Sequence, residues 1–176
     1  GIFCRIVWSA MSISQWAFAA GYDLLNSVVE GRVIPYRKQT AGEAWGDVLE
    51  IGGGTGANLP FYPADARITL VEPNPHMATR LRRRASRLNR DVTIVSGVGE
   101  CLSFDDASFD TVLFQQVLHF AQDPALAIAE AARVLRPGGR VAIVDFAAHR
   151  REVEGAFQGM GMAARGAKAI VAQPHI

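Results

Sequence analysis

The stretch Glu50-Ile51-Gly52-Gly53-Gly54-Thr55-Gly56 puts a carboxylate directly before a run of glycines. Glycines at such a point allow a tight turn and let a ligand lie close against the backbone. Glu72 follows eighteen residues after Gly54, where a second apolar run ends. A carboxylate so placed can accept hydrogen bonds from both hydroxyls of a ribose. Further along, Gln115 and Gln116 supply amides and His119 an imidazole whose ordinary pKa of about 6.5 suits proton transfer. These residue types fit a ligand with a ribose and a charged group.

Five short apolar runs must hold these residues in place. They are Asp47 to Ile51, Arg67 to Glu72, Asp91 to Val95, Asp110 to Phe114 and Gly139 to Phe146, each bounded by Gly, Pro, Asn or Asp. Helical patterns fit between them. A short helix is expected over Thr55 to Phe61, beginning at the glycine turn, where its first N–H groups would favour an anionic group. A second fits Pro75 to Asn89. A third starts at Asp123-Pro124, an N-cap followed by proline at the first helical position, and runs through Leu135 to stop at Pro137-Gly138-Gly139. Alternation of buried strands and helices predicts an α/β fold: a Rossmann-like, doubly wound, mostly parallel sheet with helices on both faces. Carboxylate, amides and imidazole then fall at the carboxyl edge of the strands, where open sheets of this kind bind ligands.

Composition narrows the function classes. The chain has 176 residues, enough for one domain, with 49% hydrophobic and 20% charged residues, so a disordered chain is excluded. A formal net charge of +1 does not suit a globally basic nucleic-acid binder. Cys4 and Cys101 are distant and unpatterned, which predicts neither a disulfide framework nor a metal site and suits a reducing compartment. A cytoplasmic location follows as the expectation.

The glycines satisfy two patterns at once. Gly52, Gly54 and Ala57 match the dinucleotide pattern G-x-G-x-x-G/A, which would indicate a nicotinamide-dependent oxidoreductase. Glu50, Gly52, Gly54 and Gly56 match E/D-x-G-x-G-x-G, the pattern of S-adenosylmethionine (SAM) sites. Four segments taken in order then resemble the successive motifs of class I SAM-dependent methyltransferases, of the type acting on quinones and phospholipid head groups. They are VLEIGGGTGANL (48–59), LVEPNPHM (70–77), ECLSFDDASFDTVLFQQVLHF (100–120) and EAARVLRPGGRVAIVDF (130–146). The segment Tyr22 to Asn26 is similar to the entry helix of such enzymes.

The resemblance implies a methyl transfer from SAM to a small-molecule acceptor, with a non-catalytic SAM-fold binding module as the alternative. It implies that Glu50 orients the SAM ammonium, that Gly52, Gly53, Gly54 and Gly56 pass beneath the methionine moiety, and that Glu72 holds the ribose. Pro73 and Met77 would flank the adenine. Gly99 or Glu100 would meet its amino group, because Val98 stands where the family often has an acid. Gln115 and Gln116 would contact the SAM carboxylate or the acceptor. His119 is the candidate base, and Tyr22 would cap the acceptor pocket.

The apolar N-terminus and the Tyr22 segment lean toward a lipophilic acceptor such as a phospholipid head group or a quinone. Ile2 to Ala20 is apolar-rich but too interrupted by polar residues to span a membrane, and residues 1–40 are expected to form a helical cap on a SAM-binding unit over 41–176. Arg80, Arg83, Arg84 and Arg87 share one helical face, with Arg82 and Arg90 beside them and no acid between Pro73 and Arg90. That face and the N-terminal helix predict peripheral contact with the inner membrane surface; no nucleic acid is expected. Only residues 147–176 follow the fifth strand, so an abbreviated sheet edge is expected, through truncation beyond Ile176 or loss of an element, with Ala169 to Ala172 as a single edge strand.

Overall fold

The computed structural model describes residues 33–145 and, beyond them, Gly155, Gln158, Gly159, Gly161 and the strand 168–172. Tyr22 and most of the expected cap over 1–40 lie outside the described residues; residues 33–40 are helical. Among the described residues six strands form one sheet: β1 (Asp47–Ile51), β2 (Arg67–Val71), β3 (Val92–Val95), β4 (Phe109–Gln115), β5 (Leu135–Val144) and β6 (Lys168–Ala172). Their order is β3-β2-β1-β4-β5-β6, and every pairing is parallel. The chain order reverses between β1 and β4, which makes their carboxyl ends the switch point of the sheet. The single edge strand expected at Ala169 to Ala172 is β6.

Two layers of apolar side chains cover the sheet. On one face α1 (Pro75–Arg87) contributes Leu81 and Ala85 to a cluster with Leu59, Tyr62, Leu70, Leu113 and Ala41. On the other, α2 (Pro124–Val134) contributes Ala127, Ile128, Ala131 and Ala132 to a cluster with Leu49, Val112, Phe114 and Ile143. Both helices start as their sequences dictate. Asn74 accepts from the N–H groups of His76 and Met77, and Asp123 accepts from that of Leu126, each with proline in the first turn.

Two expected elements are corrected. No helix covers Thr55 to Phe61; the segment is a chain of turns, with Leu59 N–H bonded to the Gly56 carbonyl and Phe61 N–H to that of Asn58. Gly56 sits at φ +78°, outside the right-handed helical region, and Pro60 has no N–H to give to a helix ladder. The glycine turn is therefore not backed by a helix start. The other correction concerns the motif LRPGG. Helix α2 ends at Val134, and the strand begins at Leu135 rather than Gly139. Leu135 pairs with Phe109 and Arg140 with Thr111, so residues 136–139 are extra length against one residue of β4. Pro137 cannot donate to a ladder, and the surplus bulges. Arg136, carried on this bulge, donates to both Asp47 and Asp110 at the amino edge.

Candidate active site

The site is built where the strand ends align. Ile51 is level with Val71 on one side and Phe114 on the other, and Gln115 is level with Val144. The glycine turn crosses this edge. Gly52 and Gly53 donate to the Val71 carbonyl at 2.8 and 3.0 Å, and Gly54 donates to Glu72 Oε2 at 2.7 Å. Gly52 has φ +77°, and a Cβ there would collide with the side chain of Val117, so the turn and the segment after β4 lie against each other only because the residue is glycine. The turn's N–H groups are thus used to close the turn itself. The anion site expected from a helix start is replaced by a turn pinned to β2.

Glu72 holds two roles in this geometry. Its carboxylate accepts from Gly54 N–H and, through Oε1 at 2.8 Å, from Asn74 N–H. Burial raises its pKa, while the two backbone donors pull it back. Asn74 in turn caps α1, so Pro73 and Met77 are fixed beside the carboxylate by the same short chain of bonds. Met77 is buried.

Glu50 is enclosed more fully. Asn58 Nδ2 donates to Oε1 and Tyr62 Oη to Oε2, both at 2.7 Å, and Arg37 Nη1 donates to Asn58 Oδ1 at 2.6 Å. Burial lifts its pKa from 4.5 to about 7, with the Tyr62 bond and the Arg37 charge opposing the rise. Tyr62 is pushed well above its ordinary value by burial and by the facing carboxylate.

On the β4 side, Gln115 and Gln116 are both buried. Thr40 donates to Gln115 Oε1 at 3.1 Å, and Gln116 N–H donates to the Val144 carbonyl at 2.6 Å. The two side-chain amide nitrogens are buried and have no hydrogen-bond partner among the described residues. Buried donors of this kind are costly unless something accepts from them.

The loop after β3 approaches from the other side. Gly99 lies against Ile51, Phe114 and Ala127, where a Cβ would be 3.0 Å from Ile51 Cγ2. Glu100 Oε1 accepts from the N–H groups of Gln122 and Asp123 at 2.8 and 3.4 Å, joining that loop to the start of α2. Val98 bridges to Cys101.

His119 stands in the short 3-10 turn Leu118–Phe120. Its Nδ1 is 2.8 Å from Asp145 Oδ1, and its backbone N–H donates to Asp145 Oδ2 at 3.3 Å. The imidazole also packs on the Phe120 ring, 4.0 Å between centroids. Asp145 was not a sequence candidate, although it lies inside the motif VAIVDF; its pairing with His119 spans 26 residues and no local signal announces it. Asn58, Tyr62 and Arg37 were missed for the same reason, whereas Asn74 does carry a local signal, an N-cap residue directly before the proline that starts α1. Among the described residues no group of His, Cys, Asp and Glu is arranged to hold a metal ion.

The strand order alone suits a dinucleotide or SAM equally. The similarity of the chain to known proteins separates them. A family model described as a methyltransferase domain matches residues 49–143, more than half of the chain, and the chain belongs to this family. It is 38% identical over 95 residues to the thiol S-methyltransferase TMT1B of Homo sapiens, across 52% of this chain and 39% of that protein. It is 32% identical over 102 residues to the phosphatidylethanolamine N-methyltransferase of Cereibacter sphaeroides, across 57% of this chain and 50% of that protein. A SAM-dependent methyltransferase from Thermotoga maritima superposes with a TM-score of 0.56 at 26% identity, covering 85% of this chain and 72% of that one. The chain therefore spans half or less of the length of these two sequence relatives. SAM is the cofactor that the family and the solved neighbour imply.

Proposed function

We propose that the chain binds SAM along the carboxyl edge of β1, β2 and β4 and directs its methyl group to a thiol carried on a small apolar body. The observation that carries the cofactor half is the pair of buried amide nitrogens of Gln115 and Gln116 at the carboxyl end of β4, without a hydrogen-bond partner among the described residues. They are donors suited to the SAM carboxylate. Glu72 suits the ribose hydroxyls, Glu50 the ammonium, and Met77 with Pro73 one face of the adenine; Gly99 and Glu100 line its far side. SAM supplies an activated methyl group on a sulfonium, so the protein's task is alignment more than activation.

The acceptor half draws on the rim. Phe120 and Leu126, at 58% and 46% exposed, are large apolar side chains left open on the segments flanking His119. Such exposure beside a site favours an apolar acceptor. The acceptors in the two relatives' names, a thiol and a phospholipid amine, support the same direction, and the higher identity lies with the thiol enzyme. Calorimetric titration with SAM, its demethylated product and NAD, followed by transfer of labelled methyl to hexanethiol, phosphatidylethanolamine vesicles and a quinol, tests this reading. SAM binding and a labelled thioether are expected. NAD binding without SAM binding returns the dehydrogenase reading. SAM binding with no methylated product returns the binding module, and label only in the lipid or the quinol overturns the thiol.

We also propose peripheral docking on an anionic membrane through α1. Among the described residues Arg82, Arg83, Arg84 and Arg87 form no ion pair, and Leu88 is exposed at the end of the same helix. Among the described residues no helix is long and apolar enough to cross a membrane. Cosedimentation should show binding to vesicles containing phosphatidylglycerol and little to pure phosphatidylcholine. Arg83→Gln with Arg87→Gln should weaken it roughly thirty-fold, at about 1 kcal/mol per lost cation. Equal binding to both vesicles, or no effect of the double variant, contradicts the proposal.

A further inference from the structure

Asp145 directly follows β5 and is almost fully buried, 5% exposed, and both of its carboxylate oxygens meet His119. One accepts from the His119 backbone N–H and the other lies 2.8 Å from its ring Nδ1. A single carboxylate thus fixes both the turn that carries the imidazole and the ring itself. Packing on Phe120 restricts the remaining rotation about the ring. A carboxylate facing Nδ1 selects the tautomer with its proton there, so Nε2 carries the lone pair.

Resting on the thiol reading above, we infer that Asp145 is a positioning residue that holds His119 with its proton on Nδ1, so that Nε2 takes the proton of a thiol acceptor as it is methylated. An ordinary thiol, pKa about 8.5, is mostly protonated at neutral pH, and only the thiolate is a good nucleophile. In the step the S–H bond breaks and its proton passes to Nε2. The electron pair left on sulfur forms the new bond to the methyl carbon. The bond between that carbon and the sulfonium breaks, its pair staying on the departing thioether. Imidazolium and neutral thioether products balance the neutral thiol and cationic donor.

Two measurements on the 176-residue chain test this. The first is the nitrogen-15 spectrum of His119 with the demethylated product bound, which needs no turnover. Wild type is expected to show the proton on Nδ1, and Asp145→Asn a shift toward the other tautomer; wild type with the proton on Nε2 overturns the inference. The second compares hexanethiol, protonated at neutral pH, with 4-nitrothiophenol, already a thiolate. Asp145→Asn should lower kcat for hexanethiol about a hundredfold while leaving that for 4-nitrothiophenol within a fewfold, in line with a general base's usual contribution. His119→Gln, at a ring 27% exposed, should show the same split without disturbing buried structure. Equal losses for both thiols would make the pair structural and overturn the inference. If wild type methylates neither thiol while the tautomer is as expected, the acceptor reading fails and the clause naming a thiol falls with it, the positioning of His119 standing.

Discussion

Glu72→Ala lowers the affinity for SAM by a hundredfold or more. A carboxylate accepting from two ribose hydroxyls makes two charge-assisted bonds, each contributing about 1.5–3 kcal/mol. The substitution also frees the N–H groups of Gly54 and Asn74, which now rest on the carboxylate. That second effect loosens the turn and the cap of α1, and it should appear as a modest fall in melting temperature. The two effects separate in Glu72→Gln. It keeps one acceptor for the loop but presents a donor where the second hydroxyl or N–H must be met, so affinity should still drop at least tenfold while stability recovers in part. Calorimetry with SAM alongside thermal unfolding reads both. A variant that melts early yet binds SAM as wild type does would confine Glu72 to the loop.

The second large effect is a pH dependence set at Glu50. Its folded pKa, about 7, lies above the ordinary 4.5, because burial disfavours the charge. The folded state therefore holds this proton more tightly than the unfolded chain does. The associated stability is complete below about pH 4.5 and is lost as pH rises through about 7. Its full size is on the order of 3 kcal/mol. Asp47 moves the other way, held down to about 2 first by its bond to Arg67, but its contribution changes only below pH 4, while Glu72, also raised by burial, adds to the loss in the same direction as Glu50. Wild type should thus unfold more readily in urea at pH 8 than at pH 5.5, and Glu50→Gln should flatten the difference. SAM binding should run opposite to stability. An ammonium beside Glu50 favours the carboxylate, so affinity should improve about tenfold from pH 6 to pH 7.5, with proton release visible as a buffer-dependent binding enthalpy. An affinity indifferent to pH would detach Glu50 from the ammonium.

The strands were legible because a buried parallel strand writes itself as a short β-branched run, and β1 was read to the residue. Both corrections fall where glycine and proline carry the pattern. Thr55 to Phe61 stands where a helix would follow the glycine turn, but Gly56 and Pro60 break the ladder it would need. LRPGG reads as a stop, yet Leu135 finds a partner in Phe109 before the bulge, which periodicity does not encode. Of the site, the residues adjacent to glycine or at strand ends were visible. The second layer was not. Asn58 and Tyr62 meet Glu50, and Asp145 meets His119, only after the turns after β1 and β4 have been folded over the edge. Arg37 joins from a helical segment that precedes the sheet.

That segment has a kinetic meaning. The β1–β3 half and the β4–β5 strands are each assembled from near neighbours in sequence, while the seam between β1 and β4 joins Val48 to Thr111. Residues 33–40 lie across this seam, Arg37 bonded to Asn58 on one side and Thr40 to Gln115 on the other, 75 positions away. Contacts this distant carry the largest loop-closure cost and form late. Once closed, the joint lies mid-sheet, with Leu49 and Ile51 packed with Val112 and Phe114 on one face and Val48 with Leu113 on the other. A ligand lying from Glu72 to Gln115 would bridge it, a clasp whose occupancy would raise the stability of the closed sheet.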